Sequence, residues 1–216
     1  LSRSPQSGAI QRFLEALTTH TTSFFREEAQ YDWLRETGFD LLLARGRPGP
    51  LRVWSAACSS GQELYSALML AATRLETGRL EGVGSDLSAR ILARARAAVY
   101  SGEEIAGLPD AYRRRFLLSA RDGSPRHRVV PELRQRAQWM RANLAEPGSL
   151  GAIRADLAFL RNVLIYFDTA TRDRVVQGVI ERISPGGLLL TGHAEAIRAE
   201  RYGLTQLRPS IYLKES

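Results

Sequence analysis

Leu51-Arg-Val-Trp-Ser-Ala-Ala57, the turn Cys58-Ser-Ser-Gly61-Gln-Glu63, the helical stretch from Leu64 to Gly78, and Leu80-Glu-Gly-Val-Gly-Ser-Asp86 together decide the fold. The first segment is a short apolar run rich in strand formers, and Ser59, Ser60 and Gly61 make a turn. Leu64, Leu68, Ala71 and Leu75 then share one face of a helix that Gly78 stops. Leu80 to Asp86 is a second strand ending in an acid. Ser88 caps another helix, which carries Ile91, Leu92, Ala95 and Val99. Strand, helix, strand, helix at this spacing predicts an α/β fold with a parallel sheet and right-handed crossovers.

Upstream, Gly46-Arg-Pro-Gly-Pro50 reads as a linker. Before it, a helical stretch runs roughly from Glu28 to Arg45, and Ile10, Phe13, Leu14 and Leu17 mark a short amphipathic helix. Downstream, Phe116–Ala120 and Arg126–Val130 flank Asp122-Gly123 as a hairpin that interrupts the α/β pattern. The pattern resumes with strands at Gln138–Ala142 and Asp156–Leu160. A helix over Thr169–Ile183 follows, ended by Pro185-Gly186-Gly187, then a buried strand at Leu188–Leu190 and a last strand within Arg208–Leu213.

The 216 residues suit one α/β domain or one with a small appendage, and 44% hydrophobic content can fill its core. No apolar stretch approaches the roughly 18 residues of a membrane span, and no signal peptide is present, so membrane insertion is not expected. The chain opens on Leu1 rather than Met, which suggests an excised fragment. A lone cysteine, Cys58, excludes an internal disulfide and fits a reducing, cytoplasmic setting. Three scattered histidines with one cysteine make no metal site, so no metal is expected. The net charge is +7, carried almost wholly by arginine, with Lys214 the only lysine. A preference for arginine codons is the plain reading; the functional one is an acidic partner, either nucleic acid or an acidic protein surface. No long basic run or aromatic-interleaved patch points to nucleic acid.

An open α/β sheet binds its ligand across the carboxyl ends of its strands. Here that edge carries the loop around Gly61, where small residues leave room, and Asp86, an acid placed to accept hydrogen bonds from ribose hydroxyls. The G-x-G-x-x-G cradle of dinucleotides is absent, so a phosphate-free nucleoside with a charged tail fits better. S-adenosylmethionine is such a ligand. These two features alone also describe an ordinary strand-turn-helix with a surface aspartate.

Several segments, in order, resemble one family. They are Thr22-Ser-Phe-Phe-Arg26, Val53 through the Gly61-Gln-Glu63 loop to Ser66, Gly84-Ser-Asp86 with a helix ending at Tyr100, and Arg141-Ala-Asn143-Leu144. Arg161-Asn-Val-Leu-Ile-Tyr-Phe167-Asp168 and Gly186-Gly187 through Gly192-His193-Ala-Glu195 complete the set. The chain resembles the CheR family, the chemotaxis receptor methyltransferases. The resemblance implies a class I S-adenosylmethionine-dependent methyltransferase fold, Rossmann-like, with a mostly parallel seven-stranded sheet and a small antiparallel β-subdomain. It implies that residues 1–46 are the remnant of a truncated N-terminal helical domain and linker. Residues 47–216 are then the cofactor-binding domain, with the β-subdomain inserted at about 112–135.

The implied activity is transfer of the methyl of S-adenosylmethionine to glutamate side chains of chemoreceptors, leaving S-adenosylhomocysteine. By resemblance, Arg26 pairs with the cofactor's carboxylate, Thr22 bonds nearby, Glu63 contacts its ammonium and Asp86 holds the ribose. Asn143 and Leu144 frame the adenine, Arg161 and Asn162 lie at the pocket with Gly61, and Tyr166 faces the transferred methyl. Arg26 and Tyr166 are the implied catalytic pair. Implied partners are acidic, Glu-rich cytoplasmic receptor helices. In some members the β-subdomain also docks a receptor's C-terminal peptide by strand addition; the residues leave open whether this chain does. His20, Gln62, Leu64 and Leu160 depart from the family pattern. They keep a second reading open, a non-catalytic module that binds the cofactor or its product within a larger signalling protein. A nucleic-acid amino-methylase is disfavoured, because Arg161–Phe167 stands where a Pro-Pro-Tyr/Phe motif would be expected.

Overall fold

A computed structural model describes residues 22–46 and 48–215. The helix expected from Ile10 to Leu17, and His20, lie outside the described residues. Ten strands follow in chain order: β1 (Leu51–Ser55), β2 (Leu80–Asp86), β3 (Val99–Ser101), β4 (Leu117–Ser119), β5 (Arg126–Val129), β6 (Ala137–Arg141), β7 (Ala155–Leu160), β8 (Ile183–Thr191), β9 (Leu204–Arg208) and β10 (Ile211–Lys214). Seven form one sheet in the order β6-β2-β1-β7-β8-β10-β9. From β6 to β8 neighbours are parallel; β10 runs antiparallel to both β8 and β9. The expected mostly parallel seven-stranded sheet is therefore present, and β3-β5-β4 form the small antiparallel sheet beside it.

The central strands are buried on both faces, so they read as apolar runs rather than alternations. Successive residues supply opposite cores. Val53, Leu157, Phe159, Leu188 and Leu190 face one cluster, and Trp54, Ala158, Leu160 and Leu189 face the other. The first cluster is covered by α1 (Glu28–Trp33), a π-helical turn (Leu34–Gly38), α2 (Phe39–Leu43) and α3 (Gln62–Ala71). Two further helices follow, α4 (Ala89–Ala97) and α5 (Asp110–Phe116), then the single turn α6 (Pro131–Arg134). The second cluster packs under α7 (Thr169–Ile180). Between β6 and β7 only a short 3-10 turn, Pro147–Leu150, replaces a crossover helix. A cleft of about 480 Å³ opens there, lined by residues including Arg52, Glu81, Val83 and Met140. Arg52 and Glu81 sit near the starts of their strands, so this cleft lies away from the carboxyl edge. No helix among the described residues is long and apolar enough to cross a membrane.

Four elements differ from the sequence expectation. The helix expected to carry Leu75 and stop at Gly78 ends at Ala71, and Gly78 lies in a 3-10 turn, Thr77–Arg79. The helix expected to carry Val99 and end at Tyr100 stops at Ala97; Ala98, in the left-handed region at φ 53°, turns the chain into β3. The helix expected to reach Ile183 ends at Ile180, and Pro185-Gly186-Gly187 lies inside β8 as a bulge. Gly186 has φ 68°, and a Cβ on Gly187 would come within 2.9 Å of the Asp156 carbonyl, so only glycines make this bulge. The last strand is a hairpin, β9 and β10, turned at Ser210. β9 lies at the sheet edge with little apolar patterning to reveal it.

Candidate functional site

The tips of β1 and β2 are bound to each other. The Asp86 carboxylate accepts from the Ser59 amide at 3.0 Å with one oxygen and from the Ser88 amide at 3.0 Å with the other. Cys58 N–H donates to the Ser85 carbonyl, and the Trp54 indole donates to the Ser85 hydroxyl. The loop with its small residues Ala56, Ala57 and Cys58 thus stands against the acid, as the sequence suggested. Gly61 caps α3 in the left-handed region at φ 95°. A Cβ there would meet Trp139 at 2.8 Å, Ala95 at 3.1 Å and the Tyr100 hydroxyl at 3.2 Å, so the protein's own side chains use the room that glycine leaves. The Ser59 hydroxyl is buried without a hydrogen-bond partner. Cys58 is buried, and burial pushes its thiol well above the ordinary value, which suits a space-filling role rather than a nucleophile.

A second group converges from Thr22–Glu27, α3 and the end of β7. Phe24 is buried edge-on against Tyr100, and Phe25 packs on Tyr31 and Tyr112. Phe25 and Glu27 both hold positive φ, 52° and 62°. Each such residue costs about 1–2 kcal/mol, which the burial of Phe24, about 1.5–3 kcal/mol, and the partial burial of Phe25 offset. The outcome is an arginine, Arg26, fixed between two strained positions, its carbonyl accepting from the Arg161 guanidinium. Thr22 begins the described residues, half-exposed.

Arg161 is the charge at the centre. Its side chain is 1% exposed, 3.1 Å from Glu27 and 3.2 Å from Glu63, and lies over the Tyr31 ring. Glu63 also accepts from the Ser55 hydroxyl at 2.7 Å. Burial raises the Glu63 carboxyl above its ordinary value, and the positive charges of Arg161 and Arg26 oppose that rise. The charge of Arg26 thus acts on Glu63, more weakly than that of Arg161. Glu27 was missed, since no local spacing shows that it meets an arginine donated by a distant strand. His193, 60% exposed, has its ring 3.6 Å from the Glu27 carboxylate.

A family model described as "CheR methyltransferase, SAM binding domain" matches residues 20–211. The chain belongs to the CheR family. It is 36% identical to Chemotaxis protein methyltransferase 2 of Vibrio cholerae over 195 residues, 87% of this chain and 66% of that protein. It is 36% identical to the chemotaxis protein methyltransferase of Klebsiella aerogenes over 99% of this chain and 70% of that protein. With the Escherichia coli protein of the same name the identity is again 36%, over 90% of this chain and 67% of that one. The chain spans about two thirds of the length of these curated relatives.

The remaining family positions lie along the same edge of this CheR chain. Asn162 follows β7 at φ 56°, and its amide donates to Glu195. Glu195, 1% exposed, also accepts from the amides of Ile165 at 3.3 Å and Gly192 at 3.2 Å. One buried carboxylate therefore ties the loop after β7 to the loop after β8, a role beyond the motif position already noted for Glu195. Tyr166 ends a short 3-10 turn and is 44% exposed, with Ile165 beside it at 60%. Asn143 holds its own loop through Glu146 and the Ala145 amide, and Leu144 packs in the second core cluster. The CheR departures at Gln62 and Leu64 are absorbed internally: Gln62 bonds Ser60 and Glu104, and Leu64 is buried. Among the described residues no group of histidine, cysteine and carboxylate side chains could hold a metal ion.

Proposed function

We propose that this domain transfers a methyl group from S-adenosylmethionine to glutamate side chains of chemoreceptors, in the cytoplasm, as a protein-glutamate O-methyltransferase. The observation that carries the reading is the joined edge. Asp86 is lashed to the Ser59 amide, and a short distance along the strand ends Arg161 gathers Glu27, Glu63 and the Arg26 backbone. The donor set suits this cofactor. A carboxylate stands at the tip of β2 for the ribose diol, a guanidinium at Arg26 for the methionyl carboxylate, and Glu63 for the ammonium. Thr22 completes that side, and Gly61, whose open side is filled by Trp139, Ala95 and Tyr100, turns the loop rather than touching the ligand. Asn143 and Leu144 bound the adenine end, and Asn162 lies beside Arg161.

Bound S-adenosylmethionine supplies an electrophilic sulfonium methyl for in-line attack by a carboxylate. The acceptor glutamate, with an ordinary pKa of about 4.3, is already ionised at neutral pH, so the site needs no general base. Its residues have to hold carboxylate and methyl at roughly 3–3.5 Å and exclude water. Tyr166, exposed at the rim, and Arg26 are the positioning groups. Residues 47–216 are the cofactor-binding domain and 1–46 the remnant and linker of the domain before it; the β-subdomain, expected at about 112–135, begins earlier, because β3 (Val99–Ser101) belongs to its sheet. Strands β3 and β4 are the edges of the small sheet, where a receptor's C-terminal peptide would add as a strand.

The test is transfer of labelled methyl from S-adenosylmethionine to a chemoreceptor cytoplasmic domain. Base-labile label on glutamate is expected. Cofactor binding without transfer to any receptor fragment would replace this reading with that of a non-catalytic sensor of the cofactor.

A further inference from the structure

The net charge of this chain is confined to one segment. Between Leu87 and Arg141 there are twelve arginines and five acids, an excess of seven, whereas the rest of the chain balances. The segment holds α4, the small sheet, α5, α6 and β6. Several of its guanidiniums bond to backbone carbonyls rather than carboxylates: Arg96 to Trp139, Arg115 to Ala72, Arg128 to Ala97 and Arg141 to Leu87. A carbonyl satisfies a donor without cancelling its charge, so the positive potential stays outside.

A second observation falls on the same surface. Val99, Arg128 and Leu118 are directly opposite one another across β3, β5 and β4, and so share one face of the small sheet. The other face, with Tyr100, Leu117 and Val129, is buried. The outward row is 38% exposed at Val99 and 50% at Leu118, two of the five exposed large apolar side chains among the described residues. An aliphatic, a cation and an aliphatic therefore stand in line over roughly 10 Å, two strand spacings.

We propose that this face, rather than either strand edge, docks an acidic amphipathic helix of a partner protein. Apolar residues seven apart on a helix are also about 10 Å apart, and an acid midway would meet Arg128. The surrounding arginines draw such a helix in and set its orientation. The row has no exposed aromatic on which bases would stack, and two aliphatic side chains give a bilayer little to hold. The inference rests on the proposed function only for the expectation that the helix belongs to a methyl acceptor.

The test uses the full chain and a stapled 14-residue helical peptide with Leu at i and i+7 and Glu at i+3 and i+4, followed by fluorescence anisotropy. Binding is expected to weaken with salt and to vanish when Lys replaces Glu. Arg128→Glu and Leu118→Asp should each raise Kd about tenfold or more, whereas Arg208→Glu, outside the segment, should not. Urea unfolding of every variant reports folding, and S-adenosylhomocysteine binding reports the carboxyl edge separately. A chain that binds the peptide in this way but not the nucleoside upholds the docking face and removes the functional reading. The docking proposal is overturned if the Glu peptide does not bind, if both row variants bind it normally, or if duplex DNA or phosphatidylglycerol vesicles bind with the same dependence on Leu118.

Discussion

Two arginines show how differently one residue type is used here. Arg161 is almost wholly buried, and two carboxylates answer its charge. Arg128 is exposed, bonded to a carbonyl, in a segment whose charge nothing on the chain balances. A buried ion must be paired, because desolvation costs more than a lone charge recovers. An exposed one can stay uncompensated, where it acts on partners rather than on the fold. The carboxyl edge is thus a closed electrostatic unit, and the small sheet is an open one.

The contrast breaks first, and most severely, at Arg161. Arg161→Met should cost about 3–5 kcal/mol in urea unfolding, because Glu27 and Glu63 lose their shared counter-charge. A loss under 1 kcal/mol would mean that the cluster is not a unit. Glu195→Gln comes next, at about 1–3 kcal/mol, since an amide presents a donor toward amides that now meet a carboxylate.

Glu63 sharpens the comparison through pH. Burial, only partly opposed by Arg161, lifts its carboxyl above the ordinary 4.5. Over the range between the two values the folded chain keeps a proton that the unfolded chain has released. Its contribution to stability therefore falls as pH rises from about 4.5 and levels off above the folded value. Urea midpoints of the parent chain and Glu63→Gln, compared from pH 4 to 8, should differ in slope by this component; identical slopes would show that Glu63 is not lifted. The smallest effect belongs to Arg128→Ala, which should change stability by less than about 0.5 kcal/mol while reducing affinity for an acidic helix. A large stability loss would make Arg128 structural.

The same distinction explains what could be read beforehand. The stretch from Leu51 to Asp86 announced its strands, turn and helix because burial on known faces leaves a period in the sequence. The identity of Asp86 as the acid at the edge came with it. Phe24 and Phe25 are visible as part of a motif, but their work of bracing the strained backbone on either side of Arg26 is not. Glu27 and the span of Glu195 were invisible to spacing, because each depends on which strand ends meet in space. Val99 fits the helical spacing of Ile91, Leu92 and Ala95, and nothing in the sequence marks the left-handed turn at Ala98, which is not a glycine. The balance of charge along the chain was countable from the start, yet only the placement of β3, β4 and β5 showed that the excess surrounds an apolar row.

The central claim is that the edge between β1 and β2 seats an adenosyl ligand on Asp86. Calorimetry with S-adenosylhomocysteine on the parent chain and on Asp86→Ala tests it most directly. The account predicts one site per chain, weakened in the variant by about 1.5–3 kcal/mol, while the urea midpoint also falls because the Ser59 and Ser88 amides lose their acceptor. Equal affinity in the two proteins, or no binding to the parent, would contradict it.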